Sequence, residues 1–155
     1  MKNISKNVLI TGSEGQLGKN LKKVLTENNF RTISIDKIKI RKEDYFCCDL
    51  SNSKNLKKLF KNIGKKYNQI DVLINLAAVQ IFTDFDKRVD KEIDDMLNVN
   101  VKANILLSQF VYNRYFKKQN RGKIINIGSI FGIKSPDFTN YKKGDRKSSE
   151  TYGAT

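Results

Sequence analysis

Gly12, Gly15 and Gly18 stand at three-residue intervals directly after the apolar run Val8-Leu9-Ile10-Thr11. A strand that turns at a glycine and enters a helix leaves the first amides of that helix without partners. Together with the positive end of the helix dipole, those amides suit a phosphate group. Each glycine meets a separate need of pyrophosphate binding. Gly12 permits the tight turn, Gly15 lets the backbone approach the phosphates, and Gly18 lets the helix pack closely on the sheet. The candidate cradle is therefore Gly12, Ser13, Gly15, Gln16, Leu17 and Gly18. Asp36 follows about 20 residues later, where an acid accepts hydrogen bonds from the ribose hydroxyls of a dinucleotide. It would also repel a 2′-phosphate, which favours NAD over NADP, with Lys37, Lys39 and Arg41 partly offsetting that repulsion.

Those residues need a sheet to carry them. Val8 to Ile10 read as a buried strand, and Leu17, Leu21, Val24 and Leu25 as one face of a helix over 16–28. Arg31-Thr32-Ile33-Ser34-Ile35 is a second strand ending at Asp36, and Tyr45-Phe46-Cys47-Cys48 is a third. Asp49, Ser51 or Ser53 is placed to cap a helix with Leu56, Leu59, Phe60 and Ile63 on one face, its last turn weakened by Gly64. Val72 to Ile74 form another apolar strand, and the small residues Ala77 and Ala78 after it leave room for a ligand. Phe82 and Phe85 fall in a loop open to a substrate pocket. Val89, Ile93, Met96 and Leu97 have helical spacing, and a long helical pattern runs on through Ile105-Leu106-Leu107 to Tyr115-Phe116, closed by Gly122. That helix is apolar over more than one face, which suits either full burial or a subunit interface. Lys123-Ile124-Ile125-Asn126-Ile127 is a fifth strand. Strands alternating with helices predict an α/β fold with a doubly wound parallel sheet.

Composition narrows the partners. With 155 residues, 39% of them hydrophobic, the chain is long enough for one domain with its own core, spanning residues 1–155. The net charge is +14 and the pI about 9.8, which raises nucleic-acid binding as an option. The basic pairs are nevertheless dispersed: Lys22-Lys23, Lys57-Lys58, Lys65-Lys66, Lys117-Lys118 and Lys142-Lys143 fall mostly on polar faces of expected helices. Solvated faces explain them, and neither a nucleic-acid nor a membrane partner is expected. No apolar run is long enough to span a bilayer, and residues 1–6 enter the first strand without a signal sequence, so a cytoplasmic location is expected. Cys47 and Cys48 are adjacent, with no histidine in the chain, so they read as free, largely buried thiols and a poor metal site.

The motifs fall in a recognisable order. Thr11-Gly12-x-x-Gly15-x-x-Gly18, Asp49-Leu50, Asn75-Leu76-Ala77-Ala78, Asn100 and Asn126-Ile127-Gly128-Ser129 resemble the successive motifs of short-chain dehydrogenase/reductases. The resemblance covers nearly the whole chain and implies hydride transfer between a nicotinamide cofactor and a carbonyl or alcohol substrate. It assigns Asp49 and Leu50 to the adenine, Asn75, Ala77 and Ala78 to the cofactor, Ser129 to the substrate oxygen, and Asn100 to a helix kink and the water of a proton relay. It also implies a small-molecule substrate and a homo-oligomer built on the long helix. The glycine spacing and Leu76-Ala77-Ala78 are closer to the extended branch of nucleotide-sugar epimerases and dehydratases, whereas the Ser129 block favours a dehydrogenase. A nonenzymatic dinucleotide-binding protein would need the loop but not Ser129.

The proton donor falls at the edge of the sequence. Residues 133–150 are polar and unpatterned, with Ser135-Pro136-Asp137 as a turn, and form a longer loop than the family carries there. Tyr141 has the more usual distance from Ser129, but Asp145 four residues on breaks the family pattern. Tyr152-Gly153-Ala154-Thr155 is similar to the family's Tyr-x-x-x-Lys, so Tyr152 is the expected acid/base. A free tyrosine titrates near about 10, and the family's lysine lowers that value. The sequence ends before that position, so the resemblance implies a doubly wound sheet incomplete at its C-terminal end: the chain is expected to be the N-terminal portion of a longer enzyme, or else a truncated, nonfunctional product, with Tyr152 lacking a helix to position it. The isolated 155-residue chain is predicted to bind NAD weakly and to turn over no alcohol. Dehydrogenase activity across an alcohol panel would contradict this.

Overall fold

The computed structural model describes residues 6–142 and 147–155. The expected run-in from residues 1–5, together with Lys143 and Asp145, lies outside them. Five strands form one parallel sheet: β1 (Asn7–Thr11), β2 (Arg31–Asp36), β3 (Tyr45–Cys47), β4 (Val72–Asn75) and β5 (Lys123–Asn126). Their order is β3-β2-β1-β4-β5, so β1 lies at the centre. It pairs with β2 from Asn7↔Arg31 to Thr11↔Ile35, and with β4 from Val8↔Val72 to Ile10↔Ile74. The chain winds outward from β1 in one direction and then, from β4, in the other. The crevice for a ligand therefore opens between the carboxyl ends of β1 and β4.

Two helical layers cover the sheet. Leu9, Ile33, Ile35 and Leu73 face α2 (Ser53–Lys66) and the helical rod over 90–119, in one core with Leu56, Leu59, Ile63, Leu107, Val111 and Tyr115. Val8, Ile10 and Ile74 face the other way, toward Leu21 and Leu25 of α1 (Gln16–Glu27). The rod joins α3 (Asp90–Leu97), a π-helical stretch (Asn98–Ala103), α4 (Asn104–Val111), a second π-helical stretch (Tyr112–Phe116) and α5 (Lys117–Gln119).

Several local expectations change. Leu17 and Val24 are exposed, and α1 seats itself with Gly18, Leu21 and Leu25, because Gly18 brings that side of the helix closest to the sheet. Asn52, rather than Asp49, Ser51 or Ser53, caps α2, its side chain accepting from the amides of Lys54 and Asn55. The rod stops at Asn120, whose φ of 50° breaks the helix, while Gly122 leaves room for the Phe116 ring, which an added Cβ would meet at 2.2 Å. Cys48 is buried, and that burial raises its thiol to about 11, but Cys47 is exposed. The rod is not fully buried, since Ile105 and Tyr112 are about half exposed. Among the described residues, strand β5 pairs on one side only, and Ile124, Ile125 and Ile127 are partly exposed.

At the opposite margin, residues 37–44 alone link β2 to β3, shorter than the dozen or so residues of a usual helical crossover. A polar cluster holds this short link. Asp44 accepts from Arg31 Nε at 2.7 Å and from the Tyr67 hydroxyl at 2.6 Å, with Lys66 Nζ at 3.4 Å. The Arg31 hydrogen bond is the main cause that lowers the Asp44 carboxyl to about 2, while burial and the bond to Asp44 push the Tyr67 phenol up. Because the folded value is below the unfolded one, the stabilisation is fully present above about pH 4 and is lost as pH falls toward about 2. Asp44→Asn should therefore cost about 2 kcal/mol near neutral pH, and the difference from the parent should vanish at the acid end of a thermal-unfolding series.

Candidate functional site

The crevice is built from the end of β1 upward. Thr11 is fully buried, and its hydroxyl oxygen accepts from the amides of both Leu76 and Ala77 at 3.0 Å. This ties the chain leaving β1 to the chain leaving β4. Gly12 follows with φ +67°, and a Cβ there would lie 2.8 Å from Ala77 Cα, so only glycine fits. A Cβ on Gly18 would meet the Gly12 carbonyl oxygen at 2.2 Å, so the start of α1 rests on the turn itself. Gly15 differs: an added Cβ would meet only the Gly12 carbonyl, at 3.4 Å. Its Cβ position faces open space rather than protein, which is the arrangement a close-approaching ligand requires.

Gly15 is the N-cap of α1 without a capping side chain, and the first turn carries no acid. Lys19 N–H bonds the Gly15 carbonyl at 3.0 Å. By helix geometry the amides of Gln16, Leu17 and Gly18 then have no partner within the helix. They open onto a cleft of about 570 Å³ lined by Gly12, Gly15, Asp36, Leu50, Ala77 and Val99, among others. Asp36 lies at one end. One carboxylate oxygen accepts from Glu14 N–H at 2.8 Å and the other from Ile38 N–H at 3.2 Å. The acid thus braces the glycine loop while facing the cleft. Glu14 also lines the cleft and is paired with Lys22, which compensates its charge beside the expected phosphates.

The structure brings most of the expected cofactor residues together. Gly12, Gly15, Gln16, Leu17, Gly18, Asp36, Asp49, Leu50, Ala77 and Ala78 all line the cleft. Ser13 and Asn75 do not. Ser13 is buried below the loop, with its amide on Ile35 O at 3.3 Å. Asn75 is 1% exposed and turns toward the neighbouring strand and helix, donating to Asn126 Oδ1 at 2.8 Å and Ser108 Oγ at 3.3 Å. Asp49 Oδ1 accepts from both the amide and the hydroxyl of Ser51, which fixes the carboxylate at the cleft wall.

The remaining residues lie around the carboxyl ends of β4 and β5. Asn100 sits in the first π-helical stretch, the kind of distortion that re-aims side chains. Its Oδ1 accepts from Val79 N–H at 2.8 Å, and its Nδ2 donates to Val79 O and Thr155 Oγ1, both at 3.0 Å. The side-chain amide therefore clamps the loop after β4. Ser129 is half-buried, and its Oγ accepts from Phe131 N–H at 3.2 Å, capping a short 3₁₀ turn, Ile130–Gly132. Tyr152 does have a helix, contrary to expectation: α6 (Glu150–Ala154), capped by Ser149 Oγ on Tyr152 N–H at 3.1 Å. The backbone of α6 packs against the turn after Ser129, where a Cβ on Gly153 would lie 3.1 Å from Phe131 O. Sequence reasoning missed the hydroxyl of Thr11, whose signal was a polar residue at the end of a buried strand. It also missed Ile38 and Val99, which reach the cleft from distant segments and leave no local signal.

A family model described as short chain dehydrogenase matches residues 6–142. The chain belongs to the short-chain dehydrogenase family. It is 29% identical to a diacetyl reductase ((S)-acetoin forming) of Staphylococcus epidermidis over 85% of this chain and 56% of that protein. It is also 29% identical to post-translational flagellin modification protein A of Campylobacter coli, over 96% of this chain and 64% of that one. Among solved structures, a short chain dehydrogenase from Leptospira borgpetersenii with bound NAD+ superposes with a TM-score of 0.85 at 30% identity, over 97% of this chain and 59% of that one. The chain thus spans a little over half the length of the relatives it matches. These relatives do not favour the extended epimerase branch suggested by the glycine spacing. Among the described residues, no helix is long and apolar enough to cross a membrane.

The Thr11 bridge gives a direct test. Thr11→Val keeps the shape but leaves two buried amides without their acceptor, a cost of about 2–4 kcal/mol in chemical denaturation. Thr11→Ser should restore most of that stability.

Proposed function

We propose that this chain forms the cofactor-binding part of an NAD(P)-dependent oxidoreductase that acts on a small carbonyl or alcohol substrate. The observation that carries the reading is the open backbone at Gly15, facing a cleft that the Asp36 carboxylate also lines. The residues present fit a dinucleotide. Amides of Gln16 to Gly18 would hold its pyrophosphate, Asp36 its adenosine ribose, Asp49 and Leu50 its adenine, and Ala77 and Ala78 leave space for the rest. When bound, the nicotinamide supplies or accepts a hydride.

The protein's own part is to place and protonate the substrate. Ser129 would donate its hydroxyl hydrogen to the substrate oxygen, since its Oγ already accepts from Phe131 N–H. The Tyr152 phenol would exchange a proton with that oxygen. Asn100 would hold the loop after β4 rather than bind a relay water through its side chain, because both ends of its amide are already engaged. The relative named a diacetyl reductase supports a small ketone as substrate. Both NAD and NADP occur among similar proteins: an NADP-dependent 3-hydroxy acid dehydrogenase of Schizosaccharomyces pombe is 30% identical over 84% of this chain. Asp36 and Glu14, two carboxylates at one end of the cleft, support NAD here. Ile105 and Tyr112, exposed along the rod, would suit the interface of a homo-oligomer. No nucleic-acid partner is invoked, and a cytoplasmic setting suits such an enzyme.

Calorimetric titration tests the cofactor reading. NAD should bind the parent chain more tightly than NADP, and Gly15→Val should abolish binding of both. Asp36→Ala should weaken NAD binding by about tenfold, the order of a charge-assisted hydrogen bond, while narrowing the gap to NADP. Unaltered NAD affinity in Gly15→Val would refute the proposal.

A further inference from the structure

The helix that carries Tyr152, α6, is described over Glu150–Ala154, and several polar groups from elsewhere in the chain meet it and the residues beside it. Ser148 Oγ accepts from Gln80 Nε2 at 3.0 Å, Ser149 Oγ reaches Met96 Sδ at 3.5 Å, and Thr155 Oγ1 accepts from Asn100 Nδ2 at 3.0 Å. The charged tether is Arg88. Its side chain is only 5% exposed, and its guanidinium donates to the Thr83 carbonyl and forms an ion pair with the Glu150 carboxylate. Glu150 opens α6, two residues before Tyr152.

Arg88 is itself firmly placed. It lies between a short 3₁₀ turn (Phe85–Lys87) and the start of α3. Thr83, whose carbonyl it binds, donates its hydroxyl to Glu92 Oε1 at 2.6 Å, and Glu92 Oε2 accepts from Val89 N–H at 3.3 Å. The loop after β4 is thereby folded back on α3, with the guanidinium turned inward. A guanidinium is suited to this task because its planar fork can serve a carbonyl and a carboxylate together.

We propose that Arg88 is a positioning residue of this site: by joining the Thr83 carbonyl to the Glu150 carboxylate, it holds the Tyr152 helix against the turn that follows Ser129. This rests on the reading of Tyr152 as the proton donor. The opposite side of α6 has little freedom, since Gly153 already abuts Phe131 O. Loss of the tether therefore releases α6 away from Ser129 rather than letting it slide along the turn. Arg88 is the charged group facing Glu150, and its hydrogen bond is the main cause that lowers the Glu150 carboxyl, with the Thr151 hydroxyl contributing.

Amide hydrogen exchange, corrected for intrinsic rates, tests this on the whole chain without needing turnover. Arg88→Met and Glu150→Gln should each speed exchange in residues 152–155 by about tenfold or more, while β1 and β4 stay protected. The double variant should match the single ones rather than multiply them. Arg88→Lys should recover part of the protection, since one ammonium cannot reproduce the planar fork. In the parent, protection of α6 should fall as acid titrates Glu150, and in Glu150→Gln it should not change with pH. Unchanged exchange in Arg88→Met, or multiplicative effects in the double variant, would overturn the proposal. Failure of the site reading would look different: the ζ-carbon NMR signal of isotopically labelled Tyr152 would ignore saturating NADH while the exchange results held.

Discussion

Two amides on one hydroxyl oxygen decide the shape of this site. Leu76 and Ala77 leave β4 with their N–H groups pointed at Thr11, and Thr11 ends β1. That bridge continues the contact of β1 with β4 past their last ladder pair, Ile10↔Ile74, at the point where Gly12 lies on Ala77. With it, the turn at Gly12 takes a positive φ, Gly18 seats on the turn, and α1 begins with its open amides directed into the crevice. Asp36 then braces the same loop from the neighbouring strand through Glu14 N–H. Each contact is modest, but together they fix backbone that would otherwise vary with the ligand.

The sheet and its flanking helices were readable because their signals are local. The run Val8 to Ile10 announces a strand buried on both faces, and Leu56, Leu59 and Ile63 announce the inward side of α2. The turn after β1 was readable because Gly12 and Gly18 mark places where a Cβ cannot go. What failed was information held in tertiary contact. Leu17 matched the helical period yet lies exposed at the cleft, since the position closest to the sheet went to Gly18. Asn75 belonged to a motif associated with cofactor yet faces Asn126 and Ser108, because alternation along β4 turns it away from the crevice. The helix under Tyr152 was invisible because residues 147–155 show no apolar periodicity, and the groups that meet it and its flanks, from Gln80, Arg88, Met96 and Asn100, are all remote in sequence.

The two halves of the site are held by different physics. The glycine-loop side is backbone, set by close approach and by strand ends paired in a sheet. The Ser129 and Tyr152 side depends on polar side chains reaching across from the loop after β4 and from the helical rod. Asn100 serves both: its amide grips Val79, which lines the cleft, and Thr155, which follows Tyr152. One planar side chain thus touches both the wall of the crevice and the residue that follows α6.

The outermost strand has one further consequence. Among the described residues β5 pairs only with β4, and Ile124, Ile125 and Ile127 beside it are partly uncovered. Wherever such a margin meets no further strand of its own protein, it accepts a foreign one. The excess of lysine and arginine gives every copy a net charge of +14, a mutual repulsion that opposes such unspecific addition. That protection is colloidal rather than structural, and it thins as dissolved ions shorten the reach of the charge to about 8 Å near physiological ionic strength.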